Sequence, residues 1–138
     1  MKLEFGIWPP SVNAYWMPVI MKTKSARPGG GRQFVQMVLT ERAKAFRKAI
    51  LADICCMRND GIIRHQPVTG PIEVFMTFCP PDRRKHDLDN LVKGVWDAMT
   101  HAGVWEDDSQ VVMAHSAFGH IVKNGGFSIT IRPREDLL

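Results

Sequence analysis

Two different periodicities follow each other between residues 71 and 99, and this succession constrains the fold more than any other feature. Residues 71–79 read PIEVFMTFC, with an apolar residue at every second position, and two prolines follow. A period of two that ends at prolines indicates a half-buried strand. From Leu88, apolar residues recur at 91, 92, 95, 96 and 99, which is the period of an amphipathic helix. The segment therefore predicts a strand joined to a helix by a short polar loop.

The remaining patterns add strands and a second helix to this unit. Thr40 is a favourable N-cap for a helix with a helical-period apolar face, and Lys123–Gly126 has the composition of a hairpin turn. The predicted elements are a strand Lys2–Trp8, a short strand or turn Phe34–Val38, a helix Glu41–Met57, and strands Gln110–Val122 and Phe127–Arg132. The main elements have the order β-α-β-α-β-β. This order predicts an α+β, two-layer α/β domain with a mixed sheet of about four strands and helices packed on it.

Composition limits the classes of protein that fit this chain. Its 138 residues, of which 45% are hydrophobic, suit a single domain spanning 1–138. No apolar run approaches the ~20 residues that a membrane span needs, so no membrane partner is expected. Three cysteines form neither a disulfide framework nor a zinc spacing, which favours a reduced, cytoplasmic setting.

The loop between the predicted strand and helix carries opposite charges in close succession. A basic run, Arg83, Arg84 and Lys85, precedes Asp87 and Asp89. Clustered carboxylates stay ionised at neutral pH when a cation lies between them, and Mg²⁺ with its oxygen ligands suits this role. Arginine and lysine instead attract phosphate oxygens. The combination indicates a metal site beside a nucleic-acid surface.

Helix geometry restricts how the two aspartates can act together. Asp89, Lys93 and Asp97 have the spacing of one row along a helix flank, whereas Asp87 would lie about 200° from Asp89 if both were helical. Both serve one site only if Asp87 is at the N-cap or just outside it. Aspartate is also favoured there simply as a cap, so the pair alone leaves open a purely structural interpretation.

A second acidic pair, Asp107 and Asp108, lies before the next predicted strand. Adjacent side chains of an extended segment point in opposite directions, so we expect only one of the two to join the site. The pair also fits a turn. We expect the carboxylates to gather where the helix begins and this strand starts.

The segment 17–33 predicts a flexible basic loop. Its cationic residues surround a proline and three glycines, and no acid interrupts them; they are Lys22, Lys24, Arg27 and Arg32. A loop of this length is usually functional or disordered. The charge favours contact with nucleic-acid phosphates over a solvated linker.

Four stretches of the sequence carry a resemblance to a known family. The stretches are PDRR, DLDNLVK, DAMTHAGVWEDDSQVV and, near the start, WPPSVNAYW. They resemble the RusA family of Holliday junction resolvases, which are small dimeric Mg²⁺-dependent endonucleases of phages and prophages. Two departures stand out. His86 occupies a position where the resolvase has arginine, and the segment between Tyr15 and Thr40 is longer than expected.

The resemblance implies a function and a role for each site residue. We expect a homodimer that cuts four-way DNA junctions in recombination and repair and uses Mg²⁺, with Mn²⁺ as a substitute. The expected metal ligands are Asp87, Asp89 and Asp108, the expected catalytic lysine is Lys93, and the expected supporting residues are Asn90 and Asp107. The DNA contacts would come from Arg83, Arg84, Lys85 and the basic loop.

Three alternatives use the same residues differently. The acids would only cap helices in a non-catalytic DNA-binding protein. A D-x-D motif also holds metal–nucleotide-sugar complexes in glycosyltransferases, although 138 residues leave little room for both substrates. A general nuclease would cut flaps or forks as readily as four-way junctions.

Overall fold

A mixed four-stranded sheet forms the centre of the protein. The structure, a computed structural model, describes residues 1–137, so the last residue of the predicted domain, 138, lies outside the described residues. In spatial order the strands are β1 (Lys2–Phe5), β6 (Gly126–Pro133), β4 (Ile72–Cys79) and β5 (Val111–Phe118). β6 runs antiparallel to β1 and to β4, whereas β4 and β5 are parallel. The predicted α+β class and mixed sheet are confirmed.

Two helices bury one face of this sheet. They are α2 (Glu41–Asn59) and α3 (Asp89–His101), and a single helical turn, α1 (Val12–Tyr15), packs beside them. Every second residue of β4 is almost fully buried, as its alternation predicted. These strand residues share one core with the apolar faces of the two helices. Removing this apolar surface from water is the main driving force for the arrangement.

The start of α2 and the end of α3 follow from local sequence. Thr40 Oγ1 accepts a hydrogen bond from the Ala43 N–H at 3.1 Å and donates one to the Ala14 carbonyl at 2.6 Å, so the predicted cap also ties α2 to α1. At the end of α3, Gly103 has a φ of +69°, and the N–H of Val104 reaches the Met99 carbonyl at 3.0 Å. This glycine-dependent end turns the chain back towards the sheet.

The prediction of a flexible loop over 17–33 is wrong for the two ends of that segment, residues 17–22 and residue 33. Two antiparallel strands, β2 (Trp16–Lys22) and β3 (Gln33–Leu39), form a separate hairpin. Only residues 23–32 form its loop. The hairpin forms because two apolar runs flank the glycine-rich turn, and seven cross-strand pairs join them.

Two further predictions about the C-terminal strands need correction. β5 ends at Phe118 rather than Val122, and the turn around Asn124 does not close a hairpin, because β4 lies between β5 and β6. Asn124 and Gly125 do have the positive φ angles that a tight turn requires. The chain from β4 through α3 to β5 is a parallel crossover, which places the start of β5 beside the start of β4.

Within residues 1–137, none of the helices is both long enough and apolar enough to cross a bilayer.

Candidate metal and nucleic-acid site

The loop after β4 holds the predicted basic run in an ordered turn. Asp82 accepts a hydrogen bond from the Arg84 N–H at 2.9 Å and pairs with its guanidinium at 3.2 Å. These contacts, led by the backbone hydrogen bond, hold the pKa of Asp82 below its usual range despite some desolvation. His86 lies 3.3 Å from the same carboxylate. Asp82 therefore partly neutralises Arg84. The exposed Arg83 and Lys85 make no ion pair within residues 1–137.

His86 is held by more than Asp82. Its ring packs edge-on against the indole of Trp8, with centroids 5.0 Å apart. Trp8 in turn contacts Phe78, at the end of β4. His86 is the residue at which this chain departs from the resolvase pattern, and its imidazole thus anchors the loop to the core. It is less exposed than the three cations before it.

Asp87 and Asp89 flank the N-cap residue of α3, and both are exposed. The N-cap residue is Leu88, whose side chain caps nothing, so Asp87 lies just outside the cap as geometry required. The Asp87 carboxylate accepts a hydrogen bond from the Asn90 amide at 3.3 Å. Asp89 has no hydrogen bond or ion pair among the described residues. A helix N-terminus favours negative charge, and both carboxylates retain oxygens free for a ligand.

Lys93 lies one turn beyond Asp89 on the exposed flank of α3. Its ammonium group sits over the ring of Trp16, 5.7 Å from the ring centroid. The Trp16 ring also packs against Tyr15 at 4.3 Å. Lys93 therefore stays near the helix start without being neutralised by an acid. Its predicted catalytic role stays a prediction, and its position is compatible with that role.

Asp97 is bound inside the protein and is not free for a ligand. Arg47 of α2 donates two hydrogen bonds to its carboxylate, each 2.6 Å long, and the Tyr15 hydroxyl donates a third. Burial opposes ionisation, but these donors outweigh it and hold the pKa of Asp97 below its usual range. Burial and the nearby carboxylate raise the pKa of Tyr15. This cluster joins α1, α2 and α3.

The role of Arg47 does not follow from the sequence pattern. Arginine on a helix is mostly exposed, whereas the Arg47 guanidinium is largely buried against Asp97. The signal available was its position next to Phe46, at the edge of the apolar stripe. Asp97, in the same row as Asp89 and Lys93, has a structural role in the observed geometry.

The second acidic pair forms a turn of 3-10 helix, Asp108–Gln110, rather than the start of a strand. Asp107 caps this turn by accepting a hydrogen bond from the Ser109 N–H at 2.8 Å. Gln110 completes the turn through its own backbone and side-chain contacts. Asp107, which was predicted to support the site, thus stabilises the turn that carries Asp108. Its capping bonds lower the pKa of its carboxyl group.

Asp108 uses one carboxylate oxygen within the protein. Oδ1 accepts hydrogen bonds from the Thr100 hydroxyl and, at 3.3 Å, from the Trp105 indole. Oδ2 accepts none from the part of the chain that the structure describes. Trp105 is fully buried, so Asp108 is anchored firmly with one oxygen outward.

One chain does not bring the three predicted metal ligands together. Asp89 begins α3, whereas Asp108 is bound to Thr100 in the last turn of the same helix. Eleven residues of helix separate these positions by about 16 Å. Among residues 1–137, no group of three or more acidic, histidine or cysteine side chains is placed to hold a metal ion. A three-carboxylate magnesium site therefore does not fit within a single chain.

The segment predicted as a basic loop at 17–33 contains the tip of the β2–β3 hairpin, residues 23–32, and the strand ends beside it. Its four cationic side chains are exposed and form no ion pair with the described residues. At the base of the tip, the Thr23 N–H donates a hydrogen bond to the Arg32 carbonyl, and the Arg32 N–H donates one to the Thr23 hydroxyl. The structure thus presents these charges on a projecting ribbon.

Comparison with known proteins covers nearly all of the chain. The model of a family described as endodeoxyribonuclease RusA matches residues 18–132. The crossover junction endodeoxyribonuclease RusA of Escherichia coli strain K12 is 36% identical over 125 residues, which are 90% of this chain and 88% of the relative. The proteins of that name from Enterobacteria phages 82 and HK97 are 32% and 27% identical. The phage 82 alignment covers 90% of this chain and 88% of the relative, and the HK97 alignment covers 94% and 92%.

Proposed function

The chain belongs to the RusA family of endodeoxyribonucleases, and we propose from this premise that it resolves four-way DNA junctions by paired, magnesium-dependent cuts. Each cut is a hydrolysis, in which a water oxygen bonds to phosphorus and one phosphodiester P–O bond breaks. Such an enzyme acts in recombination and repair in the cytoplasm of a bacterium or phage-infected cell. The observation that carries the proposal is the likeness to crossover junction endodeoxyribonucleases over 90% of the chain.

The chemistry around the start of α3 supports this function. Arg83 and Lys85 are cations without acidic partners in the described residues, and they precede the two exposed carboxylates, Asp87 and Asp89, in the same loop. The cations suit phosphate oxygens, whereas the carboxylates would repel phosphate unless a divalent cation separates them. Hard carboxylate oxygens favour Mg²⁺, and Mn²⁺ accepts similar ligands. We therefore propose that cleavage requires one of these ions.

Paired cutting also supports a homodimer. A four-way junction has near two-fold symmetry, so symmetric cuts on two strands need two active sites related by a two-fold axis. A chain of 138 residues has only one D-x-D loop. Two copies would provide the pair.

The test is cleavage of a synthetic four-way junction beside a linear duplex, a flap and a fork of matched sequence, each with Mg²⁺ and with EDTA. We expect cuts only in the junction and only with the metal. Binding without cleavage under all conditions would favour the non-catalytic alternative. Equal cleavage of flaps and forks would replace junction resolution with general structure-selective activity.

A further inference from the structure

We infer that one apolar face of the β2–β3 hairpin packs against the base pairs at the branch point of a DNA junction. This inference rests on the proposed function, because it assigns a part of the chain that distinguishes branched DNA from linear DNA. Between residues 17 and 38, no side chain of the hairpin belongs to the hydrophobic core. Neither the acidic site nor the cations of the hairpin account for these apolar residues.

Four residues on one face of the hairpin form what we call the apolar stripe. The cross-strand register pairs Ile20 with Val35 and Pro18 with Met37. The two pairs share a face, because side chains two residues apart along a strand point to the same side. On this face Ile20, Val35 and Met37 are 71%, 67% and 59% exposed. The stripe is therefore a continuous apolar surface in contact with water.

The opposite face of the hairpin is better covered. Its Met17, Met21 and Phe34 are 40–46% exposed, and Val19 and Val38 are half-buried. The stripe is thus the side of the hairpin that the described chain leaves most open. Apolar surface concentrated on one side in this way marks a binding site more often than a solvated face.

The stripe begins at the candidate site. Trp16 precedes Pro18 by two residues and pairs with Leu39, so this pair lies on the same face at the root of the hairpin. The Lys93 ammonium group lies over the Trp16 ring, 5.7 Å from its centroid. Ile20 is four residues further along the strand than Trp16, about 14 Å away. DNA bound at the start of α3 would pass along the stripe for about four base steps.

Charge selects nucleic acid as the occupant of the stripe. No carboxylate occurs between residues 16 and 40, and residues 22–32, beyond the stripe, carry four cations. At the root, Lys93 makes no ion pair within residues 1–137 and adds a fifth positive charge. An apolar surface between cations suits a polyanion that offers apolar surface between its phosphates. The bases of DNA have this property.

The branch point is the place where DNA exposes the faces of its bases. In a continuous duplex the base pairs stack on each other, and only their edges are accessible in the grooves. At a four-way junction, the innermost base pairs lose a stacking neighbour when the arms separate. Isoleucine and methionine are among the side chains that insert at interrupted stacks of this kind. The stripe therefore gains contacts at a branch that a linear duplex does not offer.

Binding by catalytically blocked protein tests this inference. Ile20→Thr combined with Val35→Thr makes the centre of the stripe polar and keeps the β-branched shape that suits a strand. In an Asp89→Asn parent with EDTA, the double variant should bind a four-way junction about tenfold more weakly, with unchanged affinity for a linear duplex of matched sequence. The slope of log affinity against log salt should stay the same, because no charge is lost.

One identical substitution on each face provides the matched control. Met37→Gln changes the stripe, whereas Met21→Gln changes the opposite face. We expect the first to weaken binding to the junction and the second to leave it unchanged. This pair also applies if the double threonine variant fails to fold. A 2-aminopurine base beside the branch, which brightens when it loses its stacking neighbour, should brighten less with Met37→Gln than with Met21→Gln.

The outcomes separate the stripe from the proposed function. Equal effects of the two glutamine variants, or equal loss of affinity for junction and duplex, would overturn the role of the stripe while a junction preference of the parent keeps the proposed function. Weaker self-association of the stripe variants in analytical ultracentrifugation would place a second copy of the chain on the stripe and also overturn the inference. A parent that binds junction and duplex equally would contradict the proposed function and the inference together.

Discussion

The salt dependence of DNA binding should reveal whether the β2–β3 hairpin contacts phosphates. Replacement of Lys22, Lys24, Arg27 and Arg32 by alanine removes four exposed cations that have no ion-pair partner among residues 1–137. Each lost phosphate contact reduces the slope of log affinity against log salt by about 0.9. The variant should therefore flatten the slope by about 3.6 per engaged hairpin. Over a fourfold rise in salt concentration, the affinity of the wild type should therefore fall about 150-fold more than the affinity of the variant.

The assay is titration of one four-way junction with catalytically blocked protein at several salt concentrations. A matched variant keeps the charge but exchanges each lysine for arginine and each arginine for lysine. This control should retain the wild-type slope, because counterion release depends on charge rather than on side-chain shape. At saturating DNA, the alanine variant of otherwise active protein should cut at a nearly normal rate, since the hairpin tip lies outside the acidic site.

Parallel slopes for wild type and the alanine variant would refute the reasoning. The phosphate contacts would then have to come from the loop after β4, around Arg83 and Lys85. A slope that flattens equally in the charge-preserving variant would mean that side-chain geometry, rather than neutralisation, decides binding.

Three further predictions concern α3 and its neighbours. Arg47→Met should lower the free energy of unfolding by about 2–3 kcal/mol in chemical denaturation, because it leaves the largely buried Asp97 carboxylate without its cation. Since the pKa of Asp97 is lowered in the folded state, this loss should be full above about pH 4 and shrink as the pH falls further. Gly94→Ala should lower stability by about 1 kcal/mol in the same assay, because its Cβ would lie 3.0 Å from the fully buried Tyr15 ring and this overpacking outweighs the higher helix propensity of alanine. Lys93→Ala should greatly slow junction cleavage while its thermal unfolding stays within about 1 kcal/mol of wild type, and unchanged turnover would make it a surface residue.

Elements with one dominant periodicity could be predicted from the sequence. The strand Ile72–Cys79 and the helix Asp89–His101 appear where the pattern placed them, because each buries one face and leaves the other polar. The Thr40 cap and the Gly103 helix end were equally local signals. These features depend on neighbours in sequence, so no knowledge of the tertiary structure was needed.

The β2–β3 hairpin could not be predicted from alternation. Its strands carry apolar residues on both faces, and many remain exposed; Ile20 and Val35, which pair directly, are 71% and 67% exposed. A ribbon with two apolar faces has no period of two in hydropathy. The charged, glycine-rich tip dominated the composition of the segment and made it resemble a loop.

The position of Asp108 shows why spacing in sequence did not define the site. The second acidic pair follows Asp89 closely along the chain, yet the intervening α3 runs the length of the sheet and separates them. From the sequence, the carboxylates are expected to gather where the helix begins and the next strand starts. In a parallel crossover these two places lie at opposite ends of the strands, so the expectation fails for a single chain. The roles of the individual acids stay predictions.

The central claim is that this chain resolves four-way junctions with two coordinated cuts, and a supercoiled plasmid that extrudes a cruciform tests it most directly. Two cuts within the lifetime of one complex convert the plasmid to linear product, whereas independent cuts release nicked circles first. We expect linear product from the start of the reaction with Mg²⁺ and no product with EDTA. Accumulation of nicked circles without linear product, or cleavage of a plasmid lacking the inverted repeat at the same rate, would contradict the account.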